Sequence, residues 1–353
     1  SDGTRETGAA RFVPLLLDQI RAACDATVTF IVASGIHRRP TPQEVETILG
    51  GSVAKGHEVL IHDPDDESRL EDVGHTRAGT RVRVSSHLRD HDAVVVTGAA
   101  SFHYYAGFGG GRKALVPGLA ARETITKNHL RALRRDGGRH PGARAGRLAG
   151  NPVHRDMAEG AQLVGPHLGI NSVMNAAGGI EALFVGHWRR SHEAATRDLA
   201  RRRILRVERR DLIVAAAGGG PKEINLIQAH KAAEACIGAL RPGGTLILVA
   251  SCPEGTGSPD FDDAIGLGSE RAMVGALRRE FRVYAQTALA WHRKTRSHRV
   301  ILVSHLEERR VRELGAEPAA DLEAALRLAR SDLPARTPGW ILAAGAAVLV
   351  EPS

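Results

Sequence analysis

Apolar and polar positions in this 353-residue chain follow two periods. Short β-rich runs predict buried strands at residues 26–35 (ATVTFIVASG), 57–63 (HEVLIHD) and 91–98 (HDAVVVTG). The second half repeats the style at 210–220 (RDLIVAAAGGG), 243–252 (GGTLILVASC) and 297–306 (SHRVILVSHL). Between them lie runs with helical spacing, among them 224–240 and 272–281. In TPQEVETILG, Thr41 suits an N-cap, Pro42 the first helical position and Glu44 a capping box, with Gly50 and Gly51 placed to end the helix. The opening SDGTRETGAARFVPLLLDQI reads as a loop followed by an amphipathic helix, and the strand expected before that loop is not in the sequence.

Repeated strand–helix–strand units predict an α/β fold: two α/β domains with mostly parallel sheets and helices on their faces. The expected domains are residues 1–205 and 206–353, joined through the charged stretch 188–209, which reads as a connecting helix or linker. The late run WILAAGAAVLV (340–350) predicts a buried strand or turn. In such sheets ligands gather beyond the C-terminal strand ends. Four Gly- and polar-rich loops stand there: ASGIHRRP, GAASFHYYAGFGGGRK, AAAGGGPKEIN and ASCPEGTGSPDF. They come from both halves, so the pattern predicts an active-site cleft between the domains.

Composition narrows this only in places. Aromatics make up 4% of the chain, so the core must rest on Ala, Val, Leu and Ile. Cys24, Cys236 and Cys252 are too sparse for a disulfide framework or a metal knuckle, and point to a reducing cytoplasm. No apolar run approaches the ~18 residues of a membrane span. The net charge of +8 and pI near 9.9 suit anionic ligands. The Arg-rich runs at 131–147 and 197–210 lack interleaved aromatics, which argues against nucleic acid as a partner.

The chemistry concentrates in SFHYYAGFGGGRKALVPG (101–118). A Walker A loop fails here, because Arg112 stands where the last Gly belongs and Ala114 follows Lys113. A dinucleotide fingerprint fails at the same Arg112. What remains generic is that Gly backbone N–H groups before a helix can hold an anion. His37 and His103 each sit just past a strand end, where an imidazole can exchange protons near neutrality. His129, in TITKNHLRAL, is a lone helical histidine with no HxxH or Cys/His companions. As a metal ligand it would suit Zn, Ni or Cu and would need most other donors from outside the protein.

Together DGTR, SGIHRRP, FHYYAGFGGGRKALVPG, ETITKNH, NPVHRDM, GGGPKEINLIQAHKA and CPEGTGSPDF resemble the lactate racemase family, in order from Asp2 to at least Trp291. The resemblance implies an isomerase that racemises or epimerises a 2-hydroxy acid by transient hydride transfer to a nickel-pincer nucleotide. It implies that Lys113 tethers that cofactor through a thioamide and that His129 is the one protein ligand to nickel. It implies His37 and His103 as paired acid/base residues, and Arg5, Gln228, Lys231 and Trp291 as residues that bind substrate or close its pocket. It gives Gly107, Gly109, Gly110, Gly111 and Arg112 to the cofactor, whose loading requires maturation enzymes as partners.

Two positions depart from the family pattern: Ile227 stands where members acting on lactate carry Tyr, and Gly109 replaces a Ser. Both point toward a larger or more apolar 2-hydroxy acid, or a sugar acid, as well as lactate. Two other readings compete: a nicotinamide-dependent oxidoreductase, and a basic binding protein without catalysis.

Overall fold

The computed structural model describes residues 7–175, 177–334 and 336–353. The chain divides into two compact units at Arg202/Arg203. In the first unit, helix α1 (Ala9–Ala23) precedes strand β1 (Thr29–Val32), helix α2 (Pro42–Leu49) and strand β2 (Glu58–Ile61). β1 and β2 pair in parallel, Thr29 opposite Glu58. The α2 capping box forms as its sequence dictates. Glu44 N–H donates to the Thr41 hydroxyl at 3.3 Å and Thr41 N–H donates to the Glu44 carboxylate at 2.8 Å. Phe12, Val13, Leu17, Val32, Val45, Leu49 and Val53 bury the contact between these elements.

An antiparallel hairpin follows, β3 (Leu70–His75) with β4 (Arg81–Ser85). Next come β5 (Val95–Ala100), the four-residue helix α3 (Arg112–Leu115), α4 (Arg122–Leu130) and α5 (Pro152–Val164). Strands β6 (Leu168–Met174) and β7 (Ile180–Gly186) lead into α6 (Trp188–Arg203). β5 pairs with β6 in parallel, and β7 adds antiparallel on the far side of β6. α5 carries its punctuation in its sequence. Asn151 caps the N-terminus by accepting from the N–H groups of Val153 and His154, Pro152 takes the first position, and Gly165 ends the helix at φ 71°.

The second unit holds β8 (Ile204–Val207), β9 (Arg210–Ala216), α7 (Leu226–Cys236), β10 (Leu240–Val249), α8 (Pro259–Gly266), α9 (Glu270–Arg279) and α10 (Val283–Ser297). Then follow β11 (Arg299–Val303), β12 (Glu317–Ala319), α11 (Leu322–Arg330), β13 (Gly339–Leu342) and β14 (Leu349–Pro352). Five strands form a wholly parallel sheet in the order β12-β11-β10-β9-β13. Leu246, Ile247 and Leu248 in β10 are fully buried, as a central parallel strand covered on both faces requires. The run 340–350, expected as one strand or turn, is most of β13, a short 3-10 turn at Gly345–Ala347 and the start of β14. Among the described residues no helix is long and apolar enough to cross a membrane.

The candidate active site

His37, His103, Lys113 and His129 all lie in the first unit, His103 in a two-residue strand that pairs with Gly107–Phe108. The His37 loop leaves the C-terminal end of β1 and docks on the segment after α3, where Gly35 N–H donates to the Gly118 carbonyl at 2.9 Å. His103 follows β5. It stacks on Tyr104 at 5.5 Å between ring centroids and meets Tyr105 edge-on at 4.5 Å. Tyr105 in turn meets the ring of His129 at 5.2 Å, so one buried tyrosine joins the two histidines. Lys113 is half-buried on α3, and its charge and that of His37 both reach His129.

His129 lies near the end of α4 and is 4% exposed. Its Nδ1 donates to the Ile125 carbonyl at 2.8 Å, one helical turn back, which puts the lone pair of the neutral ring on Nε2. Burial first, and then the charges of Lys113 and His37, push its pKa down to about 3. A neutral imidazole with one nitrogen fixed by a backbone carbonyl and the lone pair on the other is the state a metal ligand requires. At His103, Nδ1 accepts from the Ala106 N–H at 3.2 Å, so the neutral ring carries its proton on Nε2.

Protein atoms crowd the glycine-rich turn. Gly107 has φ 82°, and a Cβ there would lie 2.1 Å from the Arg147 carbonyl oxygen. At Gly110, φ 101°, a Cβ would meet the His192 ring at 2.8 Å and the Asn171 side chain at 2.9 Å. At Gly111 it would press on Val96 at 3.3 Å. Gly109 donates its N–H to the Ser101 carbonyl at 2.7 Å. The turn is packed against protein, and this close approach by itself requires glycine at Gly107 and Gly110.

Arg112, expected at the cofactor, is 1% exposed, and its guanidinium faces partners inside the protein. Nε donates to His154 Nδ1 at 2.9 Å and Nη1 donates to the Gly109 carbonyl at 3.1 Å. Nη1 also lies 2.7 Å from His192 Nε2, which is itself 2.8 Å from the Gly109 carbonyl. Nη2 donates to the carbonyls of Ala106 at 3.3 Å and Phe108 at 3.0 Å. Burial lowers its pKa to about 9, which leaves it charged at neutral pH. His154, at about 3, and His192 are held neutral by burial and then by this cation.

The remaining expected residues fall elsewhere. Arg5 lies outside the described residues. Gln228 and Lys231 stand side by side on α7, and Lys231 Nζ donates to Gln228 Oε1. Trp291, expected to help close the pocket, is 0% exposed in the second unit, where its indole N–H donates to the Leu314 carbonyl at 2.9 Å. A wide apolar ring on α10 is drawn into the core, and the one polar atom it carries finds a backbone acceptor there. Cys252 is buried with its thiol pushed up to about 12 by burial, and is no nucleophile.

The motif NPVHRDM, to which the sequence assigned no chemical role, ties the site together. Asn151 Nδ2 donates to the Tyr105 carbonyl at 2.9 Å and the Arg147 carbonyl at 3.0 Å. Asp156 accepts from Asn128, the neighbour of His129, at 3.0 Å, from Thr76 at 2.7 Å and from Arg131 at 3.0 Å. The sequence signal for these was the helix start at Asn151-Pro152; the distant partners could not be read from it.

Two family models match the chain: the lactate racemase N-terminal domain over residues 1–139 and the lactate racemase C-terminal domain over residues 205–350. Among curated proteins, the lactate racemase of Thermoanaerobacterium thermosaccharolyticum is 28% identical over 345 residues, spanning 94% of this chain and 78% of that protein. The lactate racemase of Lactiplantibacillus plantarum is 29% identical over 262 residues, 74% of this chain and 61% of that protein. The structure of the T. thermosaccharolyticum lactate racemase apoprotein superposes with a TM-score of 0.92 at 28% identity, covering 99% of this chain and 84% of that one. A crystal structure from Thermotoga maritima shares the fold alone, with a TM-score of 0.73 at 18% identity over 100% of this chain and 92% of that one. With both domain models in order along the chain and curated racemases alike over most of its length, the chain belongs to the lactate racemase family and is a racemase-type isomerase.

Proposed function

We propose that the chain racemises or epimerises a 2-hydroxy acid, with a nickel-pincer nucleotide tethered at Lys113 and its nickel bound by His129. The carrying observation is the His129 ring: buried, neutral, anchored through Nδ1 to Ile125 so that its lone pair is on Nε2, with the charge of Lys113 reaching it. These residues fit the group, since a ligand that must be neutral is kept so and the proposed tether lies close by. When bound, that nucleotide supplies the hydride acceptor for the substrate Cα.

The protein supplies protons and orientation. His37 and His103 exchange the hydroxyl proton of the substrate as general base and acid. For His103 to accept through Nε2, its Nδ1 must take up a proton, and the contact from Ala106 N–H has to open. Aromatic rings of Tyr104 and Tyr105 hold the His103 ring in place and limit water around it. Gln228 and Lys231 offer an amide beside an ammonium, a pair suited to a hydroxy-carboxylate, and the resemblance adds Arg5 to that role. Ile227 is 6% exposed, so the Tyr-to-Ile departure places an apolar core residue on α7 and removes a hydroxyl group.

The test is intact-mass spectrometry after co-expression with cofactor maturation enzymes. The reading expects a nucleotide-sized adduct with nickel near one per chain, both lost in Lys113→Ala. Activity in wholly unmodified protein would end it. Lactate, larger 2-hydroxy acids and sugar acids are then compared as substrates, and deuterium at Cα should slow turnover of the true one. Racemisation that survives the loss of both His37 and His103 would remove them from the acid/base role.

A further inference from the structure

We propose that Arg112 is the positioning residue of this site: its buried guanidinium folds the segment from His103 to Lys113 around itself and so sets the acid/base ring and the tether in one piece. What is positioned rests on the function proposed above; the clamp itself does not.

Three carbonyls of one loop, Ala106, Phe108 and Gly109, turn inward onto a single side chain. Without it these inward-facing carbonyls would each lose a buried charged donor. The guanidinium also donates to His154 on α5 and lies 2.7 Å from His192 Nε2 on α6, whose ring is 2.8 Å from the Gly109 carbonyl, so the loop is pinned to two helices at once. Asn171 on β6 completes the hold by accepting the Gly111 N–H at 2.8 Å, one residue before the guanidinium's own backbone. Every acceptor is neutral, because the two imidazoles stay unprotonated beside the cation. Acceptors arrayed around a fork of three nitrogens are matched by a guanidinium and not by an ammonium, whose three donors share one atom. Lys is therefore not a substitute here.

The test has one arm without cofactor and one with it. In the apoprotein, amide hydrogen exchange is followed at Gly109, Gly111 and Lys113, whose N–H groups bond Ser101, Asn171 and Gly110. Arg112→Lys should speed exchange at these three at least tenfold and leave the β5–β6 ladder unchanged. Leu17→Ala, in the α1 cluster away from the loop, is the control of comparable destabilisation. It should not loosen the loop. After co-expression, Arg112→Lys should lose most of the Lys113 adduct, and Leu17→Ala should keep it.

Unchanged loop exchange in Arg112→Lys overturns the proposal. So does equal adduct loss in Leu17→Ala, which would make Arg112 a general contributor to stability. A wild-type protein that takes no adduct refutes the proposed function, and the exchange arm still judges the clamp. Should Arg112→Lys fail to fold, His154→Ala withdraws only the Nε acceptor and is read by the same two arms.

Discussion

Gly107→Ala separates the two explanations of the glycine-rich turn. Gly107 has φ 82°, and an added Cβ would lie 2.1 Å from the Arg147 carbonyl oxygen and 2.8 Å from its carbon. The left-handed backbone alone costs an alanine about 1 kcal/mol. Relieving an overlap with backbone adds roughly 2 kcal/mol, the middle of the range for overpacking. The matched control is Gly165→Ala in the same unit, at φ 71° with open space around the new Cβ, which should cost about 1 kcal/mol. For a unit of this size each kcal/mol moves the melting temperature by roughly 2–4 °C. Thermal melts of the apoprotein should thus fall by about 9 °C for Gly107→Ala and about 3 °C for Gly165→Ala. Equal shifts would refute the packing argument. A loss seen only in cofactor-loaded protein would restore the view that the glycine makes room for a ligand.

Asn151→Ala removes the α5 cap and strands the carbonyls of Tyr105 and Arg147, so urea unfolding should lose about 2–3 kcal/mol. His129 and His154 have folded pKa values near 3 against the ordinary imidazole value of 6.5, and His192 is also lowered. Unfolded chain therefore binds protons that the folded chain refuses. Stability is full above pH 6.5 and falls as pH drops toward 3, by up to about 1.4 kcal/mol per pH unit for each ring. A urea series from about pH 7 to 5, before the carboxylates titrate, should show the fall, and a flat profile contradicts the buried neutral rings. A thiol reagent on folded protein should modify Cys24 quickly and leave Cys236 and Cys252 until unfolding, since only Cys24 is exposed.

The local elements were legible where backbone chemistry is local. Thr41-Pro42 with Glu44 specified a helix start, because caps and φ restraints act within one turn. Buried parallel strands such as β10 announced themselves as continuous apolar runs. The β3–β4 hairpin stayed hidden because charges interrupt both its strands, LEDVGH and RVRVS, and leave no apolar run. The strand β7, IEALFVG, escaped for a different reason: its exposed face holds apolar Leu183 and Val185, so polar alternation does not mark it.

At the site, the sequence alone determined which residue types were available and that ordinary nucleotide loops were excluded, because motif failure at Arg112 is a matter of spacing. It also carried the family resemblance, since ordered motifs survive at identities near 28%. Only the tertiary structure decided what the neighbours do. Gly107 and Gly110 serve packing, since the carbonyl of Arg147 and the ring of His192 approach them from remote segments. Trp291 belongs to the core because Leu314 offers its indole a partner there. Arg112 is the centre of a loop because partners spread from Ala106 to His192 converge on it. Residue spacing fixes local backbone geometry, whereas the partner of a buried polar atom is set by where distant chain segments meet.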